Sequence, residues 1–248
     1  MSMLQIKNLT KKFAGVSAID DLSIAVKKGS ITGIIGPNGS GKTTLVNVLS
    51  GVVPMDGGCV IVSGAVRLER INACDVSSYG ITRTFQDVRL FEQMPVLDNI
   101  LVVLTERNVF SALFERHKVY HLTQAEQVLT RVGLWEKRAE LTVNLSYGQR
   151  KLLEIARVLA LCETGQAHLV LFDEPFAGLF PQMVKTVSDI IRELKLSGRT
   201  VILIEHNMDL IRELSDRVIV MDSGTLLAEG HPEEVLKRKE VIEAYLGV

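Results

Sequence analysis

Ile31-Thr32-Gly33-Ile34-Ile35-Gly36-Pro37-Asn38-Gly39-Ser40-Gly41-Lys42-Thr43-Thr44 is the stretch on which the reading of this chain turns. Its first five residues, Ile31–Ile35, are rich in β-branched side chains and bounded by glycines, the pattern of a short buried strand. The next eight fit a glycine, four residues, then Gly-Lys-Thr. Thr43–Ser50 comes after, with Leu45, Val48 and Leu49 on one helical face and Gly51 placed to end the helix. Strand, glycine-rich loop and helix form the context in which such a loop grips phosphate. The glycines let successive backbone N–H groups turn inward on phosphate oxygens. The helix presents its positive end to the same anion. Lys42 supplies a cation for the outer phosphates, and Thr43 a hydroxyl for Mg²⁺.

Upstream of that loop, Leu4–Leu9 and Leu22–Lys27 read as strands of an amino-terminal sheet, with Lys28-Gly29 as a turn. Downstream, Gly57-Gly58 turns into a strand over Cys59–Ser63. From about Val96 to Leu161 the apolar spacing becomes helical and strand signals vanish. Thr123-Gln124-Ala125-Glu126 has the spelling of a capping box opening a helix that ends near Gly133, and Ser146-Tyr147-Gly148-Gln149 repeats the form. Strands and helices then alternate: Leu169–Phe172, helix Gln182–Leu196 with Val184, Val187, Ile191 and Leu194 inward, Thr200–Ile204, and a short helix Asp209–Leu214. A hairpin pairs Arg217–Met221 with Thr225–Glu229 around Ser223-Gly224. A helix from Pro232 to roughly Leu246 closes the chain. Buried strands alternating with helices predict a parallel α/β core. One domain is expected over 1–248. Its core covers 1–86 and 162–232, its inserted helical lobe 87–161, and its carboxy-terminal helix 233–248.

Other residues extend the chemistry of the loop. Leu169-Val170-Leu171-Phe172 is a central strand with Asp173 and Glu174 at its carboxyl end, where ligands bind in open α/β sheets. Asp173 is placed to hold a Mg²⁺ shell, and Glu174 to polarise an attacking water. Val201-Ile202-Leu203-Ile204 has the same layout and ends in Glu205-His206, so that His206 can donate to a γ-phosphate oxygen. Gln86 stands where core gives way to lobe, and its amide can touch both metal and water; alone, a glutamine carries no such message. Ser146 opens a helix as a cap, but a glycine-containing helix start is also an anion site. The simplest explanation of a second anion site is the nucleotide of a second copy.

Composition sets the limits. The chain has 248 residues, 47% hydrophobic and 23% charged, with a formal net charge of −1. That balance gives no bulk positive charge for binding nucleic acid. No stretch approaches the roughly 20 apolar residues of a spanning helix, and Met1–Lys12 lacks the apolar run of a signal peptide. A cytoplasmic location is expected, with any membrane role exerted through a partner. Cys59, Cys74 and Cys162 match no zinc spacing and read as buried small hydrophobes in a reducing compartment.

Taken in order, the phosphate loop, Gln86, Leu145-Ser146-Tyr147-Gly148-Gln149, Asp173-Glu174 and His206 resemble the ATP-binding-cassette ATPases of membrane transporters, over essentially the whole chain. The fold this implies is α/β: a P-loop NTPase core with a parallel central sheet, an amino-terminal antiparallel β subdomain and an inserted α-helical subdomain. The resemblance also implies ATP and Mg²⁺ as cofactors. ATP would contact Phe13, otherwise a core aromatic, by stacking on adenine, and Gly36, Pro37, Asn38, Gly39, Ser40, Gly41, Lys42, Thr43 and Thr44 along the loop. Glu174, His206, Gln86 and Lys42 would serve hydrolysis, and Thr43, Gln86 and Asp173 the metal. Ser146, Gly148 and Gln149 would meet the ATP of a second ATPase subunit, head to tail. The lobe near Gln86 would grip a transmembrane permease subunit at the inner face of the cell membrane.

Finer segments point to a branch. Gly80–Gln86 with Arg89-Leu90-Phe91, Leu145–Arg150 with Leu153–Arg157, and the ending Glu243-Ala244-Tyr245-Leu246-Gly247 look most like the branched-chain amino-acid importer ATPases. Urea importers are close by the same segments, and lipopolysaccharide-export ATPases share some of them. One position departs from the family. Phe180 comes after Ala177-Gly178-Leu179 where the family carries Asp or Asn, and an aromatic ring cannot make the hydrogen bonds that bridge two copies there. The rival readings are a soluble ATPase of this fold with no membrane partner and a nucleotide-gated module that barely turns over.

Overall fold

The computed structural model describes residues 1–105 and 118–246. These divide into two compact units. One comprises Met1–Arg83, His168–Glu174 and Ile191–Val248; the other comprises Thr84–Ala167 and Pro175–Ile190. The second unit extends past the lobe expected over 87–161 at both ends and also takes in 175–190.

The first unit is built on two sheets. A four-stranded antiparallel sheet has the order β2-β1-β4-β5, formed by β1 (Ser2–Phe13), β2 (Val16–Lys27), β4 (Gly57–Val62) and β5 (Val66–Leu68). β1 and β2 run several residues beyond the expected spans because their alternation is interrupted by register shifts, which hide the period from the sequence. The second sheet has six strands, ordered β10-β9-β3-β8-β7-β6. Its members are β3 (Ile31–Ile35), β6 (Ile81–Arg83), β7 (Leu169–Asp173), β8 (Thr200–Ile204), β9 (Arg217–Asp222) and β10 (Thr225–Gly230). β6, β7, β8, β3 and β9 are mutually parallel, and β10 joins as an antiparallel edge.

β3, β7 and β8 are buried at every position, as strands covered on both faces must be. Helix α1 (Lys42–Leu49) drives Leu45, Val46, Val48 and Leu49 into a cluster with Leu4, Ile6, Leu9, Ile24, Val60 and Val62 of the antiparallel sheet and Ile34, Leu171, Ile202 and Ile204 of the parallel one. Truncating such a side chain, as in Leu45→Ala, costs about 2–5 kcal/mol. The expected stop at Gly51 is present. Val52 N–H donates to Asn47 O (2.9 Å) and Gly51 N–H to Val48 O (3.0 Å), with Gly51 at φ 68°.

The register of the central strands aligns their ends. Asp173 of β7 lies level with Ile204 of β8, and Ile204 level with Ile34 of β3. Three neighbouring strands therefore end together, and the segments after them emerge on one edge.

The second unit is helical among its described residues, apart from short 3₁₀ turns and one isolated bridge, Pro95 to Leu141. It contains α2 (Val96–Leu104), α3 (Lys118–Arg131) and α4 (Tyr147–Glu163), and α5 (Pro181–Leu196) starts in it. Buried Asn99 ties α2 down. Its side chain bridges the backbone N–H and C=O of Phe91 (2.9 and 3.1 Å) and donates to Thr142 Oγ1 (3.0 Å).

Three expectations need correction. Thr123-Gln124-Ala125-Glu126 does not open a helix: α3 is already formed at Lys118, because an established helix propagates through a cap-like spelling at little cost. The carboxy-terminal helix is broken into α7 (Pro232–Val235) and α8 (Lys239–Leu246). Between them Lys237 N–H and Arg238 N–H close on Glu234 O and Val235 O, three residues back, and tighten the chain at a run of three cations. Cys74 is exposed, unlike Cys59 and Cys162, and none of the three is in a disulfide.

Candidate functional site

The loop after β3 is held by its neighbours. A Cβ on Gly36 (φ 153°) would sit 2.1 Å from the carbonyl oxygen of Met221, and one on Gly41 (φ 100°) would sit 2.5 Å from that of Ala18. Only glycine fits either place. The β9–β10 turn braces the loop further, with Gly224 N–H donating to Ser40 O (3.1 Å). Gly41 is the N-cap of α1 and provides no side-chain cap. The backbone donors of the first turn are thus left for a ligand rather than for the helix's own side chains.

Lys42 is 5% exposed. Its ammonium lies inside the loop and donates to Gly36 O (2.7 Å), Pro37 O (2.9 Å) and Ser40 Oγ (3.3 Å). Burial holds its pKa below the ordinary lysine value, opposed by the charges of Glu174 and Asp173. Asn38, Gly39 and Thr43 are exposed, Pro37 and Thr44 half-buried, and Gly36 and Ser40 buried. The mouth of the loop is open while its root is packed.

At the neighbouring strand tip, Asp173 is buried at 2% exposure and forms an ion pair with Arg83 (3.2 Å). Glu174 adopts a left-handed backbone, φ 48°, uncommon for a side chain of its size. Its N–H donates to Ile204 O (3.0 Å), and its Oε1 lies 2.9 Å from His206 Nε2. The residues after β7 and β8 are therefore in contact, as the shared edge requires. Glu205 turns inward and accepts from the backbone N–H of His206 (3.0 Å), and Asn207 caps α6 (Met208–Leu214). Phe13, at the end of β1, is 47% exposed, which removes the core-aromatic reading. The Lys11 ammonium lies 5.2 Å from its ring centroid.

The second unit carries Gln86, which is exposed, and Ser146, Gly148 and Gln149. Ser146 and Gln149 form a true capping box. Gln149 N–H donates to Ser146 Oγ (3.3 Å), and Ser146 N–H to Gln149 Oε1 (3.0 Å). Gly148 is buried, and a Cβ there would meet Met183 Sδ at 2.8 Å. Further along α4, Glu154 accepts from Phe85 N–H (3.0 Å), and Arg157 donates to Arg89 O (2.7 Å). The segment carrying Gln86 is thereby lashed to α4. Burial pushes the Glu154 carboxyl up to about 7 against the Phe85 hydrogen bond and the Arg157 charge.

Two residues here carry little signal in the sequence. Arg83 stands out only as part of the family-like stretch Gly80–Gln86, since its importance comes from a carboxylate 90 positions away. Tyr245 stands out only as part of a family-like ending. Burial pushes its phenol up to about 12, opposed by a backbone hydrogen bond with Gly36 in the phosphate loop.

The candidate donors suit Mg²⁺. Within the first unit the Thr43 hydroxyl and Asp173 carboxylate offer oxygen, and so small a set fits an ion that retains water and phosphate ligands. Among the described residues no cluster of three His, Cys, Asp or Glu forms a closed metal cage, and no described helix is long and apolar enough to cross a membrane.

A glycine loop at an uncapped helix start, beside two strand-tip acids on a parallel sheet, defines a P-loop nucleoside triphosphatase. Comparison with known proteins narrows the class. Residues 19–177 match the ABC transporter family, and residues 225–248 match a branched-chain amino acid ATP-binding cassette transporter family. The chain is 38% identical to the high-affinity branched-chain amino acid transport ATP-binding protein LivG of Salmonella typhimurium, covering 99% of this chain and 98% of the relative. It is 35% identical to the probable LivG of Archaeoglobus fulgidus, covering 100% and 96%. Among solved structures, the ADP conformation of MJ1267, an ATP-binding cassette of an ABC transporter, superposes with a TM-score of 0.83 at 33% identity, covering both chains fully. The chain belongs to the ABC transporter family of ATP-binding cassettes, and it is an ATP-binding, ATP-hydrolysing subunit.

Proposed function

We propose that this chain is the motor of an importer for branched-chain amino acids, working at the inner face of the cell membrane with a second ATPase subunit and transmembrane permease subunits. The observation that carries the catalytic part is the Glu174–His206 contact of 2.9 Å at the strand edge that also bears the phosphate loop. The cargo class rests on the full-length likeness to LivG proteins and on the match of 225–248.

In this reading the loop N–H groups and Lys42 hold the triphosphate, and Phe13 stacks on adenine. Thr43, Asp173 and Gln86 would hold Mg²⁺, which when bound neutralises charge on the β- and γ-phosphates. Glu174 orients and polarises the attacking water, and His206 steadies Glu174 and donates to the γ-phosphate as charge develops. Ser146, Gly148 and Gln149 complete the site on the ATP of a second subunit, so closure and hydrolysis alternate with opening. Uptake assays on vesicles containing this chain and the membrane proteins that co-purify with it test the cargo. Leucine, isoleucine and valine should be imported with ATP consumption. Import of urea instead, or ATP consumption unlinked to any uptake, would refute it.

A further inference from the structure

Arg83 is the last residue of β6, and its side chain is only 7% exposed. Its guanidinium spans two elements of the first unit. Nη2 reaches Asp173 Oδ2 at 3.2 Å, and Nη1 reaches Asn47 Oδ1 at 2.9 Å, Ser50 Oγ at 2.6 Å and Val46 O at 3.5 Å. Three of these acceptors lie on α1 or at its carboxyl end, and α1 also carries Lys42 and Thr43. One planar, permanently charged fork thus joins the acid at the tip of β7 to the helix that bears the phosphate grip. A buried carboxylate is costly unless paired, and a guanidinium is the group best suited to pair it in a fixed direction.

We infer that Arg83 is a positioning residue for the metal: it holds Asp173 in register with α1, so that Asp173 and the Thr43 hydroxyl face one Mg²⁺ site. The inference rests on the reading of Asp173 as a metal-shell acid. Lysine keeps the charge but loses the fork, so it restores the pairing only in part. Asn47 orients the fork, so its loss weakens the effect without removing the charge. Groups that orient metal ligands typically change metal affinity about 10- to 100-fold when removed.

The test is ATP affinity of the purified chain, by calorimetry, in excess Mg²⁺ and in excess EDTA. Arg83→Ala should weaken Mg²⁺-ATP binding about 10-fold or more while leaving metal-free ATP binding within about twofold. Arg83→Lys should recover part of the loss, and Asn47→Ala should show a smaller loss of the same kind. If Arg83→Ala does not fold, as judged by thermal melting, the Lys and Asn47 variants carry the test with the same Mg²⁺-specific expectation. Parallel losses with and without Mg²⁺, or no change in either, would overturn the inference. Asp173→Asn separates the two readings. If it leaves the Mg²⁺ dependence intact, the assignment of Asp173 fails and the inference about Arg83 with it. If it abolishes that dependence while the Arg83 variants do not alter it, only the inference about Arg83 fails.

Discussion

Two helices in this molecule begin with a glycine-containing turn, and they treat their first backbone donors in opposite ways. At α1 the N-cap is Gly41, which has no side chain to offer, and the turn is left without a cap. At α4 the N-cap is Ser146, and reciprocal bonds with Gln149 occupy the donors at both ends of the box. The first arrangement leaves the backbone donors of the first turn unmatched by side chains and open to an anion. The second is satisfied by its own side chains, and only in the proposed function does it meet a second subunit. Under the proposed function, that difference separates a site for the chain's own nucleotide from a site for a second subunit's.

The largest expected effect concerns chemistry rather than binding. Glu174→Gln should lower ATP hydrolysis about 10²- to 10⁴-fold while ATP stays bound and a dimer accumulates, as read by phosphate release and gel filtration. Hydrolysis equal to that of the unmodified chain would favour a nucleotide-gated module over a motor.

Next comes the interior of the boxed helix. The Glu154 carboxyl is raised from 4.5 to about 7 in the folded protein, so folding favours its neutral form. Its contribution to stability is complete below pH 4.5 and is lost as pH rises through about 7, a change of up to ~3 kcal/mol. Urea unfolding at several pH values should show that slope, and Glu154→Gln should flatten it. An unchanged slope would show that other groups set the pH response of this helix.

Much of this is legible in the sequence because β3, β7 and β8 are short apolar runs with sharp punctuation and every position buried, so composition alone marks them. The same runs place the phosphate loop, Asp173, Glu174 and His206, since parallel strands must end on one edge. β6 is not legible. Ile81-Thr82-Arg83 is too short to show a period, and its strand character comes from pairing with β7 far along the chain. The role of Arg83 does not show in the sequence for that reason. Thr123 and Ser146 have the same spelling, yet only Ser146 opens its helix with a box, because the box is a property of where the helix starts.

Smaller effects sharpen the contrast. Ser146→Ala should cost about 1 kcal/mol of stability in chemical denaturation while leaving the ATP affinity of the single chain unchanged. Weakened binding by the single chain would mean that the boxed start serves its own nucleotide. Phe180 is 73% exposed at the head of α5. Phe180→Asn should raise turnover of the assembled transporter roughly two- to fivefold, under about 1 kcal/mol of barrier; equal rates would remove any role for the missing polar group.

Replacing the single ammonium inside the uncapped helix start puts the account at greatest risk. Calorimetric ATP binding to Lys42→Ala should be about 10- to 100-fold weaker than to the unmodified chain, the cost of losing charge-assisted hydrogen bonds. Affinity within about twofold of the unmodified chain would contradict it.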